Sequence, residues 1–210
     1  MSAHYIEFEN VTKTYGSGQS RVDALCGVSF GIDRGEFCVL LGSSGAGKTT
    51  LAKALQQKLP GALLLDGDEL REALGADGRS FDVQSRKRLA QTYARLAGLL
   101  ARQGATVIVA TISLFHDLHA WNREHLPGYV EVFLDVPEAV RRQRDPKGLY
   151  AARVPNMAGT GVQVELPLAP HLRLDGTQGE EEMLTLILGV MAAGSARTGH
   201  SPRSGDMAGQ

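Results

Sequence analysis

The sequence is poor in cysteine and has no long apolar runs. Only two of its 210 residues are cysteines, Cys26 and Cys38, and their spacing fits neither a C-x-x-C motif nor a disulfide framework. We therefore expect two small buried thiols in a reducing, cytoplasmic protein. No apolar run approaches the roughly 20 residues of a membrane-spanning helix. The first residues also lack the hydrophobic stretch of a signal peptide, so we expect neither a membrane span nor secretion.

The chain also lacks an excess of either charge. It has 22 Lys and Arg residues against 23 Asp and Glu residues, a formal net charge of −1. Without a basic surplus there is no electrostatic case for nucleic-acid binding, and we expect none. Hydrophobic residues make up 43% of the chain, which is enough for one compact domain with a sizeable core.

Hydrophobic periodicity predicts an α/β fold. Residues 5–11 and 23–33 alternate apolar and polar side chains, as strands of an antiparallel β segment do. Later apolar runs read as buried parallel strands, and helical segments separate them. These runs are "FCVLLG", "ALLLDGD", "ATVIVATIS" and "YVEVFLDV". We predict a doubly wound parallel sheet of the P-loop NTPase type, with helices on both faces and an N-terminal antiparallel β segment.

The stretch "GSSGAGKT" fits the phosphate-binding motif G-x-x-x-x-G-K-[ST] at every fixed position. In this motif, backbone N–H groups cradle phosphate oxygens, Lys48 places a positive charge on the β and γ phosphates, and Thr49 can bind Mg²⁺. A buried strand precedes the motif and a helix follows it, which is the context that it requires. The motif predicts ATP or GTP binding by Gly42, Ser43, Ser44, Gly45, Ala46, Gly47, Lys48, Thr49 and Thr50.

Upstream of the loop, the sequence resembles the start of an ATP-binding-cassette (ABC) transporter ATPase. The resemblance covers about residues 4–50, through "IEFENVTKTYG" and "RGEFCVLLGSSGAGKTTL". It implies that Tyr15 stacks on adenine; the alternative is an aromatic residue that caps a strand end. The rest of the chain lacks an LSGGQ-type signature, a strand ending in Asp-Glu and a switch histidine, so the resemblance ends at the loop.

Downstream, about residues 37–175 resemble adenylylsulfate (APS) kinase and its relatives. The motifs are "LLLDGDELR", "FDVQSRKR", "ATISLF" and "GYVEVFLDVPEAVRRQRDPKGLYAAR". The resemblance implies that ATP and Mg²⁺ are the cofactors. It also implies that the γ-phosphoryl group of ATP is transferred to a ribose hydroxyl of a small nucleotide acceptor.

Two carboxylates, Asp66 and Asp68, follow the buried strand next to the loop. Such a pair can hold Mg²⁺ through water and accept the proton of the acceptor hydroxyl, although a D-G pair is also common in solvated turns. The resemblance favours Asp68 as the general base and makes Asp66 the more structural or metal-facing residue, which would also contact the acceptor.

The resemblance also implies residues that bind the acceptor. Arg71 and Arg86 would bind its anionic group, since guanidinium suits phosphate and sulfate, and Phe81 would stack on its base. For Arg86 the alternative is an exposed basic helix start. Ser113 would contact the acceptor at the carboxyl edge of the sheet.

Two further residues lie in or next to "DPKGLYAARVPNMAGTGVQ", a segment without periodicity that we predict to be a loop or lid: Lys147 within it, and Arg144 at the end of the helix before it. Lys147 would neutralise charge on the moving phosphoryl group and also contact the acceptor as the lid closes. Arg144 would lie over the ATP base or its phosphates.

Three positions depart from the APS kinase pattern. Leu89 replaces an expected Asn, Gln91 an expected Arg, and His116 another expected Arg, all at positions that contact the acceptor in the family. The acceptor is therefore left open between adenylyl sulfate and a related nucleotide such as cytidine diphosphoramidate. The spacing of His116, His119 and His125 favours an exposed amphipathic helix over a metal site.

We divide the chain into an ABC-ATPase-like β segment (1–36), a kinase-like P-loop domain (37–192) and a disordered Gly/Ser-rich tail (193–210). Two alternatives to a kinase stay open. One is a transporter ATPase subunit with a membrane partner, and the other is a non-catalytic nucleotide-binding module. A homodimer is compatible with the sequence, because the β segment would expose apolar surface.

Overall fold

The computed structural model describes residues 6–15, 22–32, 35–75, 82–144 and 164–198. These residues form seven strands and six helices: β1 (Ile6–Tyr15), β2 (Val22–Ile32), β3 (Phe37–Leu41), α1 (Lys48–Lys58), β4 (Leu63–Asp66), α2 (Gly67–Ala73), α3 (Val83–Arg102), β5 (Val107–Ala110), α4 (His116–His125), β6 (Tyr129–Asp135), α5 (Glu138–Arg144), β7 (Leu172–Asp175) and α6 (Glu180–Thr198).

Five of the strands form the predicted parallel sheet, in the order β4-β5-β3-β6-β7. All five residues of the central strand β3 are buried. This explains why β3 is a continuous apolar run rather than an alternating one, since helices cover both faces of such a sheet. The carboxyl ends of the strands share one edge of the sheet, where ligands bind in doubly wound folds.

Two apolar clusters cover the two faces of the sheet, and alternate residues of β3 contribute to each. Cys38 and Leu40 belong to the cluster that includes Leu51 and Leu55 of α1 and Ile187 of α6. Phe37 and Val39 belong to the cluster that includes Ala97 and Ala101 of α3 and Leu126 after α4. Helices therefore lie on both faces, as the sequence predicts.

The N-terminal β segment is an antiparallel pair of β1 and β2, which confirms the predicted pairing. Strand β2 lies against α6. The side chains of Tyr15 and Cys26 lie outside what the structure describes, whereas Cys38 is fully buried, as expected. In the parts of the chain that the structure describes, no helix combines the length and the apolar character that crossing a membrane requires.

Two element ends differ from the sequence-based expectation. The predicted strand "ALLLDGD" stops at Asp66, because the Asp66 side chain accepts a hydrogen bond from the Asp68 backbone N–H and begins α2 instead. Helix α6 continues past residue 192 to Thr198, so residues 193–198 are helical where the composition predicted the start of a disordered tail; the helix-forming residues of this stretch are Ala193, Ala196 and Arg197. Residues 199–210, Phe81 and Lys147 lie outside the described residues.

Candidate active site

The phosphate loop connects β3 to α1. Gly42 lies so close to β6 that an added Cβ would be 3.1 Å from the Leu134 carbonyl oxygen. Gly47 caps α1 with a φ of 91°, a left-handed conformation that glycine adopts without strain. The first turn of α1 contains no acidic residue, so its N–H groups and the helix dipole favour an anion.

Within the loop, the Lys48 ammonium donates to the Ser43 carbonyl at 3.0 Å. The backbone N–H of Ala46 donates to the same carbonyl at 3.2 Å. These bonds hold the lysine across the loop that it is predicted to serve. Of the other predicted loop residues, Ser44, Gly45 and Thr49 are half-buried and Thr50 is exposed on α1.

The carboxylate of Asp66 joins the phosphate loop to α2. The Thr49 hydroxyl donates to Asp66 Oδ2 at 2.6 Å, and the backbone N–H of Asp68 donates to Asp66 Oδ1 at 2.9 Å. Asp66 is only 4% exposed, whereas the side chain of Asp68 is exposed at the start of α2. The two predicted carboxylates therefore lie together beside the loop, one buried and one accessible.

Arg71 of α2 lies close enough to Arg86 and Tyr93 of α3 to interact with both. The pKa of Arg86 is lowered, first by burial and then by the positive charge of Arg71. Arg71 also forms a hydrogen bond with the Tyr93 side chain. The Tyr93 hydroxyl lies 3.4 Å from the Gly67 carbonyl. Two neighbouring guanidinium groups form a site with the charge and geometry for an anion.

In the sequence, Tyr93 falls in an apolar repeat at helical spacing, with Leu89, Leu96 and Leu100. Burial raises the pKa of Tyr93; Arg71 opposes that rise, and Asp68 and Asp66 add to it. The residue is thus part of the site. Its helical spacing gave no sign of this, because the spacing of core and site residues on one helix face is the same.

Ser113 lies at the same edge of the sheet, beyond β5. Asp66 pairs with Ala110 in the parallel register, and a Cβ on Gly67 would be 3.3 Å from the Thr111 methyl group. The Thr111 hydroxyl donates to Ser113 Oγ at 2.8 Å. This register brings Ser113 next to the start of α2, as the sequence predicts for a ligand-binding residue.

The three residues that depart from the family pattern, Leu89, Gln91 and His116, each have different neighbours in the structure. His116 Nε2 contacts the Leu166 carbonyl at 2.8 Å, and Gln91 lines a cavity of about 150 Å³ between α3 and α4, together with Trp121. Leu89 is half-buried on α3.

Arg144 ends α5 and donates to the Gly176 carbonyl at 2.8 Å. Gly176 follows β7, so Arg144 lies at the carboxyl edge of the sheet, on the side opposite β4.

The histidines of α4 do not share one environment. His116 and His125 are exposed, but His119 is only 4% exposed, so its expected place on an exposed face is wrong. Its side chain points between α4 and the turn that contains Ser113. In the described ranges, no group of three or more His, Cys, Asp or Glu side chains could hold a metal ion.

The phosphate loop follows the central strand of a parallel sheet, and the paired carboxylates follow β4, the next strand along the chain. This arrangement defines a P-loop kinase of the α/β class. The sequence profile of the adenylylsulphate kinase family matches residues 34–175. The chain belongs to this family.

Individual relatives agree. The chain is 36% identical to the cytidine diphosphoramidate kinase of Campylobacter jejuni, over 73% of this chain and 94% of that protein. It is 40% identical to the adenylyl-sulfate kinase of Deinococcus deserti, over 72% of this chain and 90% of that protein. The structure of the Mycobacterium tuberculosis APS kinase CysC in complex with AMPPNP and APS matches with a TM-score of 0.69 and 31% identity, covering 76% of this chain and 98% of that one.

These relatives are kinases, and they give no support to the transporter interpretation. Strands β1 and β2 lie outside the segment that the family profile matches.

Proposed function

We propose that the chain transfers the γ-phosphoryl group of MgATP to a hydroxyl of a small nucleotide. The acceptor is adenylyl sulfate or a related nucleotide such as cytidine diphosphoramidate. One observation carries the proposal: Asp66 and Asp68 lie between a phosphate loop and a pair of arginines, at one edge of the sheet. The named activities of the relatives support the same reaction class.

On the ATP side, the loop residues and Lys48 would hold the phosphates, and Arg144 would lie over the base or the phosphates. The hydroxyl of Thr49 and the carboxylate of Asp66 lie 2.6 Å apart, and both are the hard oxygen ligands that Mg²⁺ prefers. These two residues would hold Mg²⁺, which supplies positive charge to the phosphate oxygens when it is bound.

On the acceptor side, Asp68 would act as the general base. Its carboxylate is exposed beside the loop, so it can reach a hydroxyl that approaches the γ-phosphate. Arg71 and Arg86 would bind the anionic group of the acceptor, and Ser113 would contact the acceptor from β5. Phe81 and Lys147 keep the roles that the resemblance gives them, stacking on the base and neutralising the transferred group.

Two of the departures from the family pattern support a nucleotide other than adenylyl sulfate. His116 and Gln91 replace arginines, and their side chains contact the 164–166 segment and the α3–α4 cavity. Neither adds a permanent positive charge near Arg71 and Arg86. The acceptor site would then hold less positive charge than the family pattern provides.

We also propose that residues 37–192 form the kinase domain and that residues 1–36 are an appended β segment. The segment that the family profile matches ends at Asp175. Helix α6 belongs to the kinase domain in this division, because Met183, Leu184 and Ile187 pack in the cluster on one face of the sheet.

The test is ADP release from MgATP, measured with and without each of the two candidate acceptors. We expect one acceptor to stimulate ADP release. Asp68→Asn should lower kcat by roughly 10²- to 10⁴-fold, the range for loss of a general base, with ATP binding retained. Glu69→Gln is the matched control, since Glu69 is the adjacent exposed carboxylate of α2. ADP release that neither acceptor changes would refute the proposal.

A further inference from the structure

The buried side chain of His119 is directed at the backbone of the Ser113 turn, and the proposed transfer gives it no role. His119 Nε2 lies 2.9 Å from the Ser113 carbonyl oxygen. A carbonyl can only accept a hydrogen bond, so Nε2 carries the proton of this imidazole. Burial lowers the pKa of His119 and is the largest influence; Glu131 opposes it, while His116 and Arg123 add to it. The imidazole is therefore neutral near neutral pH.

A neutral imidazole that is protonated at Nε2 leaves Nδ1 as an acceptor. Among the described residues, Nδ1 of His119 is buried and has no hydrogen-bond partner. An unsatisfied buried polar atom destabilises a protein. An apolar side chain would avoid that cost. Apolar residues do pack in this part of α4, since Leu118, the residue before His119, is buried against Ala90 and Ala94. Fold stability alone therefore does not account for a histidine at this position.

The Ser113 turn is a segment that needs external support. Ser113 has a φ of 20°, a positive value that is uncommon for a residue with a side chain. Such conformations persist when their surroundings fix them, and they cluster at ligand-binding sites. Three bonds fix this one: the Thr111 hydroxyl to Ser113 Oγ, the Phe115 N–H to the Ser113 carbonyl at 3.1 Å, and the His119 bond to the same carbonyl.

We propose that His119 is a positioning residue for the acceptor. Its Nε2–H fixes the carbonyl of Ser113 and thereby orients the Ser113 hydroxyl toward the acceptor. This inference rests on the proposed function, because it assigns His119 to the acceptor half of that site.

The test compares three variants in steady-state kinetics with the better of the two acceptors. His119→Leu removes the donor, and His119→Asn keeps a short amide that cannot reach the position of Nε2. His119→Gln places an amide N–H near that position. Loss of one neutral hydrogen bond corresponds to a several-fold to roughly tenfold change. We expect His119→Leu and His119→Asn to raise the acceptor KM by this factor with the ATP KM unchanged. The acceptor KM of His119→Gln should lie close to that of the unmodified protein.

The melting temperature separates positioning from a purely structural role. We expect His119→Leu to melt close to the unmodified protein, because the lost bond to the Ser113 carbonyl is offset by removal of the unsatisfied Nδ1. An unchanged acceptor KM in both His119→Leu and His119→Asn would overturn the inference, and so would a His119→Gln variant no better than they are. If His119→Leu does not fold, His119→Asn and His119→Gln decide by the same criteria. Absence of acceptor-dependent ADP release in the unmodified protein would instead refute the proposed function, and this inference with it.

Discussion

Replacing Arg123 with methionine would leave a buried carboxylate in the sheet without its cationic partner. Glu131 of β6 has a fully buried side chain. Arg123 Nη2 donates to its Oε1 at 2.9 Å, and the Tyr129 hydroxyl donates to its Oε2 at 2.7 Å. Burial, and then the charge of Glu131, raise the pKa of Tyr129, so the phenol keeps its proton and remains a donor.

The magnitude follows from this geometry. Removing one partner of a buried ion pair costs about 3–5 kcal/mol, because the other charge remains buried. Arg123 is itself 36% exposed, and Tyr129 still donates in the variant, so we expect a loss at or just below the bottom of that range, about 2–3 kcal/mol. For a chain of this size, that loss lowers the melting temperature by about 4–12 °C.

The assay is urea unfolding of the full chain, with the midpoint and the slope fitted separately. We expect Arg123→Met to lower the midpoint without changing the slope, which is the sign of lost stability rather than of an altered unfolded state. The matched control is Arg142→Met. Arg142 pairs with Glu138 on the exposed face of α5, and exposed pairs of this kind contribute about 0.5 kcal/mol or less.

A double substitution tests whether the unpaired buried charge causes the loss of stability. In Arg123→Met/Glu131→Met, no unpaired charge remains buried, and we expect stability to recover by half or more of the loss in Arg123→Met. If the losses of the two single variants simply add in the double variant, the uncompensated charge is not the cause. An unchanged midpoint in Arg123→Met would refute the argument directly.

Three other predictions concern single side chains. Tyr93→Phe removes the hydroxyl that contacts α2 and should raise the acceptor KM several-fold with the ATP KM unchanged; equal changes in both KM values would contradict its place in the acceptor site. Burial raises the pKa of Cys38 to about 12, so a Cys26→Ala variant should resist thiol labelling when folded and react once unfolded in guanidinium; rapid labelling of the folded variant would contradict this. The Lys87 hydrogen bond is the largest cause that lowers the pKa of Asp117, so its contribution is present above the ordinary value near 4 and is lost as pH falls through the folded-state pKa. Asp117→Asn should therefore differ slightly in stability from the unmodified protein near pH 7, and the difference should shrink as the pH falls through the folded-state pKa of Asp117; a difference that does not shrink would point to another cause.

The sequence predicted the parts of the site whose chemistry depends on local spacing. The phosphate loop has a fixed pattern of glycine, lysine and threonine, and the apolar run before Asp66 places that carboxylate at the carboxyl edge of the sheet. The pairing of Arg71 with Arg86 required the family resemblance, because α2 and α3 are separated by residues whose path the sequence does not define.

Tyr93 and His119 were missed for one physical reason. Each lies on the buried face of a helix, where the 3.6-residue period selects core and site residues alike. What distinguishes them is the atom that each polar group contacts, the Gly67 carbonyl for Tyr93 and the Ser113 carbonyl for His119. Contacts between segments distant in sequence leave no periodic signal.

Asp66 also limits how such a site can change during evolution. Its two oxygens serve opposite halves of the proposed site, Thr49 in the loop and the first turn of α2. A side chain longer by one methylene would displace both partners together, so a change of side-chain length at this position alters both halves at once. Arg71, in contrast, lies in the same short helix, and within the described residues it contacts Tyr93 of α3 rather than the phosphate loop. New acceptor preferences can therefore arise at positions such as Arg71 while the phosphate-binding half keeps its geometry.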